Sequence, residues 1–186
     1  DALSAAGCDI VFIPDVTAMY PSGFSTYVEP PAVSQPLEGL CRPGHFRGVA
    51  TVLTILLNTI RPDFAFFGQK DAQQIAVTKR LVTDLGFETE IVTVPTIREE
   101  SGLAMSSRNE LLSDEERDKA TVIIGALREA KTAFKKGERN ASDLTDIVTT
   151  RIEAEPSARL DYVAVVDRES FQSIEKIGDN EALIIA

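Results

Sequence analysis

The chain has 186 residues, 44% of them hydrophobic, which is enough for one substantial core or two small ones. Its 19 Lys and Arg residues are outnumbered by 29 Asp and Glu, giving a net charge of −10, and this balance argues against a surface that wraps nucleic acid. The apolar stretches are shorter than the roughly 20 residues that a bilayer span needs, so we expect no membrane partner.

Two cysteines and one histidine bear on the compartment and on metal binding. Cys8 and Cys41 have neither the spacing of a metal knuckle nor the density of a disulfide scaffold, and they suit a reducing cytoplasm. Because no Cys or carboxylate cluster accompanies His45, we expect no structural metal. The sequence opens on Asp within the end of a helix, so we expect the parent protein to begin earlier.

The first part of the chain alternates between strand and helix patterns. The predicted elements are the end of a helix at residues 1–6, a buried strand at 8–13, a helix from 49 to 60, a buried strand at 64–67, a helix at 71–85 and a strand at 90–94. Gly7 and Gly86 follow two of the helices, and Pro62 ends the long one. The alternation predicts an α/β fold with a parallel sheet, which binds ligands at the carboxyl ends of its strands.

The character of the sequence changes after residue 109. A capping box from Ser113 to Glu116 opens a helix that runs toward Lys136, and Ser142 or Asp143 opens a second one that ends near residue 155. Apolar runs at 160–166 and 182–185 predict two strands. We therefore expect two domains, a parallel-sheet domain at residues 1–109 and a small α+β domain with an antiparallel sheet at residues 110–186.

One candidate site lies at residues 66–74, where a predicted strand ends and a helix begins. Gly68 permits close backbone approach, and the Lys70 ammonium joins the positive end of the helix dipole, a geometry suited to a phosphate. The same residues support a structural interpretation, since Asp71 with Gln74 is also a capping-box pattern. Spacing alone does not separate the two interpretations.

Two further stretches carry basic residues. Residues 102–109 place two hydroxyls beside the Arg108 guanidinium on a glycine-containing loop, which suits a polyphosphate; a solvated interdomain linker is the alternative. Residues 42–48 place His45 between Arg42 and Arg47 immediately before the long helix. His45 and Arg42 are candidates for positioning a carboxylate or phosphate, although a lone His there often only bonds a neighbouring turn.

Taken together and in order, these segments resemble the pantothenate synthetase (pantoate–β-alanine ligase) family. The matching stretches are residues 20–23, 37–39, 42–49, 66–74, 94–98, 102–109 and 160–162. The resemblance implies a cytoplasmic homodimer that activates pantoate with Mg-ATP as pantoyl adenylate, after which β-alanine displaces AMP to give pantothenate. It also implies a Rossmann-like nucleotidyltransferase domain, similar to that of aminoacyl-tRNA synthetases, and a second domain that forms a lid over ATP.

The resemblance also assigns residues. The ATP-binding positions that it implies are Gly68, Gln69, Lys70, Asp71, Ile97, Met105, Ser106, Ser107 and Arg108. Gln74 matches the pantoate-binding glutamine, and Thr96 is a further candidate beside the adenine-contacting backbone of Ile97. Lys70 and Arg108 are the catalytic candidates, because each can stabilise charge on the phosphates by about 3 kcal/mol.

The departures from the family pattern limit what this chain can do alone. The family's histidine-containing ATP motif and the Asn and Gln segment of the pantoate and β-alanine pockets do not occur in the sequence, and Gln69 stands where many members have Glu. We therefore expect the chain by itself to be inactive. Two other interpretations remain: a nucleotide-binding module without catalysis, and a related adenylyltransferase that leaves AMP on its product.

Overall fold

The computed structural model describes residues 2–178 and 182–186. Its α-helices are α1 (Ala2–Ala5), α2 (Val16–Met19), α3 (Glu38–Cys41), α4 (His45–Ile60), α5 (Ala72–Asp84), α6 (Asp114–Ala120), α7 (Val122–Lys135) and α8 (Ala141–Glu153). Its strands are β1 (Phe64–Gly68), β2 (Glu90–Val94), β3 (Ala164–Asp167) and β4 (Ala182–Ile185). The helix end predicted at residues 1–6 corresponds to α1, and its first residue lies outside the described part. Within these ranges, no helix combines the length and apolar character that crossing a membrane requires.

The first sheet is a parallel pair of strands, as the α/β pattern predicts. Phe64 of β1 lies opposite Glu90 of β2, and Gly68 lies opposite Val94. Helices α4 and α5 cover one face, where Leu57 and Leu81 pack with Ala65 of β1. Both strands therefore end beside the turn that leads from β1 into α5, the edge where ligands are expected.

The predicted buried strand at residues 8–13 is wrong. These residues have an irregular conformation, and Ile10 and Ile13 expose 84% and 83% of their surface. An apolar run predicts burial only where another strand or layer covers it, and no described strand pairs with this one. β1 is also less buried than predicted, since Phe66 is 68% exposed. The helix-covered face of this sheet is packed, whereas the opposite one presents aromatic residues.

The second part of the chain is a helical pair on an antiparallel sheet. β3 pairs with β4, with Ala164 opposite Ile185. The predicted helix from residue 113 is two helices, because the chain breaks at Thr121, whose hydroxyl donates to the carbonyl oxygen of Asp118. The start of α8 is also earlier than predicted, since Asn140 rather than Ser142 or Asp143 accepts the capping hydrogen bond.

Three clusters of buried apolar residues hold the chain together. One lies within the second part, between α7, α8 and β3. Another joins the two parts of the chain: its buried members are Val33, Phe46, Val77, Ala164, Val166 and Phe171. The division at residue 109 stays a prediction, and the second cluster crosses it.

Candidate functional site

The turn between β1 and α5 carries the first group of predicted site residues. Gly68 ends β1, and a single turn of 3-10 helix, Gln69–Asp71, leads into α5. The Lys70 ammonium donates to Asp71 Oδ1 at 3.0 Å, and both side chains are exposed to solvent. A cation and the positive end of a helix of 13 residues therefore lie together at the carboxyl end of a parallel strand.

The capping-box interpretation of this turn is wrong. Asp71 occupies the N-cap position of α5, yet its side chain accepts no capping hydrogen bond from the helix. Its carboxylate is instead bound by Lys70. Asp71 thus leaves the first N–H groups of α5 without the side-chain acceptor that a capping box supplies, which keeps them available to an anion.

Two adjacent glutamines of α5 have different surroundings. Gln73 is buried, and its amide nitrogen donates to the carbonyl oxygens of Val33 and Pro36 at 3.0 and 2.8 Å. Its side-chain oxygen accepts from the backbone N–H of Glu38 at 3.2 Å. Gln74 is half-buried and has no side-chain hydrogen bond to a described residue. Gln73 therefore fixes the 33–38 segment, and Gln74 retains its hydrogen-bonding groups for a ligand.

The start of α4 carries the second group. The Arg42 guanidinium donates to Glu38 Oε1 at 2.7 Å, and His45 Nε2 lies 3.8 Å from the same oxygen. Partial burial holds the pKa of His45 below its ordinary value of 6.5, and the charge of Arg42 lowers it further, while Glu38 acts in the opposite direction. His45 therefore favours the neutral imidazole at the start of this helix.

The third group lies on a hairpin-like loop at residues 97–109. The N–H of Met105 donates to the carbonyl oxygen of Ile97 at 2.9 Å, and Arg98 pairs with Ala104 in an antiparallel bridge. The loop then enters a 3-10 turn, Ser107–Leu111, where Ser106 Oγ accepts from the backbone N–H of Arg108 at 3.3 Å. Arg108 and Ser107 are exposed. The side chain of Ile97, which follows Thr96 in the sequence, is exposed as well.

Residues of the second and third groups line a cleft of about 830 Å³. Arg42 and Arg108 both line it, although they are far apart in sequence. The charges of Arg42, Arg108 and Asp71 all act on the pKa of His45, so His45 lies among the three predicted stretches. The lining carries both signs of charge, with four basic residues (Arg42, Arg108, Lys119 and Arg159) and four acidic ones (Glu38, Glu116, Glu155 and Asp161). Two arginines from separate stretches at one wall suit a polyphosphate, because each guanidinium can donate to phosphate oxygens.

Part of the cleft wall is apolar or neutral. Leu112, Val122, Ile123, Ile152, Ala158 and Leu160 contribute apolar surface. Tyr162 lies there too, and burial raises its pKa to about 12, with the nearby Glu38 carboxylate adding to the effect. Its phenol is therefore protonated at neutral pH and can donate a hydrogen bond.

The other predicted site residues are outside the lining of this cleft. They are His45, Gly68, Gln69, Lys70, Asp71, Gln74, Thr96, Ile97, Met105, Ser106 and Ser107. Glu38 and Tyr162 were not predicted as site residues, although both lie in stretches that resemble the family. Gly39, next to Glu38 in one of these stretches, has a structural reason to be glycine. A Cβ there would lie 1.8 Å from the carbonyl oxygen of Ser34.

Carboxylates, cysteines and the histidine do not form a metal site among the described residues. No group of three or more such side chains is arranged there to hold an ion. Asp71, the carboxylate nearest to the predicted phosphate site, is engaged by Lys70.

Comparison with known proteins identifies the family. The family model described as pantoate-beta-alanine ligase matches residues 1–186. The pantothenate synthetase of Chloroflexus aurantiacus is 50% identical over 182 residues, which are 98% of this chain and 65% of that protein. The crystal structure of pantothenate synthetase from Thermus thermophilus has a TM-score of 0.89 at 39% identity and covers 98% of this chain and 70% of that one.

A third structure contains ligands. It is pantoate-beta-alanine ligase from Francisella tularensis, complexed with beta-gamma ATP and beta-alanine, with a TM-score of 0.70 at 31% identity over 98% of this chain and 66% of that one. The chain spans 62% to 66% of the length of the curated relatives compared. Matched along its whole length by the family model and at 50% identity by a pantothenate synthetase, the chain belongs to the pantoate–β-alanine ligase family.

Proposed function

We propose that the protein containing this chain condenses pantoate with β-alanine at the expense of ATP. The products are pantothenate, AMP and pyrophosphate, and pantoyl adenylate is the intermediate. The observation that carries the proposal is that Arg42 and Arg108 line one cleft and that both lower the pKa of His45, in a chain whose family is that of pantoate–β-alanine ligases. The Francisella relative, solved with beta-gamma ATP and beta-alanine, supports these two substrates.

The first chemical step develops negative charge that the exposed cations Lys70 and Arg108 can stabilise. A carboxylate oxygen of pantoate attacks the α-phosphorus of ATP, and the bond to the pyrophosphate oxygen breaks. Lys70 and Arg108 stabilise the charge that develops on the α-phosphate and on the leaving pyrophosphate, each by about 3 kcal/mol if they act as other preorganised donors do. The exposure of both side chains leaves them accessible to the phosphates before ATP excludes water.

The second step needs a good leaving group more than it needs an acid or a base. The amine of β-alanine attacks the acyl carbon of pantoyl adenylate, the C–O bond to AMP breaks, and the nitrogen loses a proton to form the amide. In this proposal Gln74 binds pantoate, and its side chain makes no hydrogen bond within the described residues that a ligand would have to displace. Gly68 and Asp71 face the ribose, and the backbone of Ile97 meets adenine.

The remaining contacts of ATP complete the proposed site. Gln69 joins the β1–α5 turn through its backbone, and Met105, Ser106 and Ser107 contact the phosphates with Arg108. Mg²⁺ enters as part of the substrate Mg-ATP, held mainly by phosphate oxygens. His45, Arg42 and Thr96 are proposed as positioning contacts at the edge of the site.

The proposal extends to the architecture of the whole enzyme. Residues 1–109 are part of a Rossmann-like nucleotidyltransferase domain, and residues 110–186 form a lid over ATP. The enzyme is a homodimer of the cytoplasm that binds neither nucleic acid nor membranes. The two exposed free cysteines, Cys8 and Cys41, are consistent with a reducing compartment.

The test is an assay of the full-length protein with pantoate, Mg-ATP and β-alanine. We expect equal amounts of pantothenate, AMP and pyrophosphate, and we expect pyrophosphate exchange into ATP when only pantoate is added. A stable adenylated product without AMP release would instead identify an adenylyltransferase. Binding of ATP without turnover of any substrate would identify a nucleotide-binding module, and either result would overturn the proposal.

A further inference from the structure

A buried asparagine holds the loop that carries Ser106 to Arg108 through side-chain hydrogen bonds. Asn109 directly follows Arg108 and exposes only 9% of its surface. Its amide nitrogen donates to Glu99 Oε1 at 3.1 Å and to the carbonyl oxygen of Ala104 at 3.0 Å. The Asn109 side chain therefore links the position after Arg108 to both arms of the hairpin.

A residue of the next helix contacts both Asn109 and Glu99. Arg117 of α6 donates from Nη2 to the carbonyl oxygen of Asn109 at 3.2 Å, and its Nη1 lies 3.7 Å from Glu99 Oε2. One oxygen of the Glu99 carboxylate thus accepts a hydrogen bond from Asn109, and the other lies near the Arg117 guanidinium. We call Glu99, Asn109 and Arg117 the loop clamp.

The tip of the hairpin is held separately against α7. Gly102 is buried with a φ of +92°, a conformation that other residues rarely adopt. A Cβ at this position would meet Ile124 Cγ2 at 3.4 Å and the Arg128 guanidinium at 3.5 Å. The tip and the base of the loop are therefore both fixed to the helices that follow it, while Ser107 and Arg108 remain exposed between them.

We propose that the loop clamp positions Ser106, Ser107 and Arg108 for ATP, so that Glu99, Asn109 and Arg117 are positioning residues of the reaction although none of them contacts the nucleotide. The inference rests on the proposed function for the role of Arg108. The argument is that a loop already ordered in its binding conformation does not lose that entropy when ATP binds. A displacement of Arg108 by about 1 Å would also cost rate, because charge stabilisation depends on fixed geometry.

The first experiment measures the order of the loop in the full-length protein, by hydrogen exchange and without an activity readout. The backbone amides of Glu99, Met105 and Asn109 all make hydrogen bonds within the loop, so their hydrogen exchange reports its order. We expect Arg117→Ala to accelerate their exchange by about tenfold or more. Arg80→Ala is the matched control, since it removes an arginine whose partner, Asp84, lies on α5 away from the loop. Equal exchange in the two variants would overturn the clamp.

The second experiment measures kinetics in the full-length protein. We expect Asn109→Ala and Arg117→Ala to raise KM for ATP and to lower kcat for pyrophosphate release by about tenfold or more, with KM for β-alanine unchanged. Glu99→Gln keeps an oxygen acceptor for Asn109 and should retain most of the activity that Glu99→Ala loses. A purely structural role would instead lower the melting temperature and leave these kinetic constants like those of Arg80→Ala, which would overturn the proposal.

The two experiments separate this inference from the proposed function. If the wild-type protein forms neither AMP nor pantothenate, the proposed function fails, and the catalytic part of the inference fails with it, whatever the exchange data show. If the wild type is active and the clamp variants match Arg80→Ala in kinetics, only the inference fails. Faster loop exchange together with the selective change in KM for ATP supports both.

Discussion

At the scale of single residues, Lys70 combines exposure with a position at a strand end and a helix N-terminus. Its ion pair with Asp71 is solvent-exposed, and such pairs stabilise proteins by about 0–1 kcal/mol. The turn around it is held by the backbone of β1 and α5 and not by this side chain. Removing Lys70 should therefore affect phosphate chemistry much more than folding.

We expect Lys70→Ala to lower pantoate-dependent pyrophosphate release in the full-length protein at least about a hundredfold, because one preorganised donor to a developing anion is lost. The melting temperature should change by no more than about 2 °C. Lys79→Ala, on the exposed face of α5, is the control and should retain full activity. Near-normal release by Lys70→Ala would contradict its assignment.

His45 gives a prediction about pH. It is the only histidine of the sequence, so it is the one side chain whose ordinary pKa lies between those of the carboxylates and the cysteines. Burial and Arg42 lower its pKa in the folded state, so the unfolded chain binds more protons as pH falls through 6.5. Stability should therefore fall from pH 7 toward about pH 5.5. His45→Gln should remove this decline in melting temperature, and a wild-type protein that gains stability over the same range would contradict the lowered pKa of His45 as its cause.

At the scale of elements, the sequence predicted helices and strands correctly where their determinants lie within the segment itself. The helix ending before Pro62, β2 and the Ser113 cap all follow from residues within a few positions of one another. Residues 8–13 were predicted wrongly because apolar composition does not say whether a partner strand is near. The capping interpretation of Asp71 stayed open beside the phosphate-site one because sequence spacing does not show that Lys70 binds its carboxylate.

The cap of α6 gives the element-scale prediction. Ser113 Oγ accepts from the N–H of Glu116, while the Glu116 carboxylate accepts from the N–H of Ser113, and this second bond holds the pKa of Glu116 below its ordinary value. We expect Ser113→Ala to reduce the free energy of unfolding by about 1 kcal/mol. Saturated activity should be unchanged, and Ser142→Ala, whose hydroxyl only donates to the cap Asn140, should cost less. A loss of turnover with no change in denaturant midpoint would show that Ser113 belongs to the site.

At the scale of the whole molecule, the contacts between distant segments could not be predicted from local pattern. Arg42 and Arg108 were each recognised as basic residues on loops, but their common cleft depends on how α3, α6 and the 97–109 loop pack. The same limit applies to the core. Phe171 lies in a stretch without a predicted element and has a positive φ of 54°, yet it is among the most buried residues described.

Phe171 also tests whether the two parts of the chain are energetically coupled. It exposes 1% of its surface and packs in the cluster that includes Val77 of α5 and Val166 of β3. Phe171→Ala removes a large buried side chain and should cost about 3–5 kcal/mol of stability. Because the cluster joins both parts, hydrogen exchange should accelerate in α5 as well as in β3.

The matched control for coupling is Leu144→Ala, which truncates a side chain that is 2% exposed in the cluster formed by α7, α8 and β3. It should accelerate exchange in α8 and β3 more than in α5, because its packing neighbours lie after residue 109. Phe171→Ala should lower α5 protection further than Leu144→Ala does, although both remove buried apolar volume. If α5 keeps its full protection in Phe171→Ala, the part before residue 110 folds independently of the second one, and the proposed lid would be attached mainly by its linker.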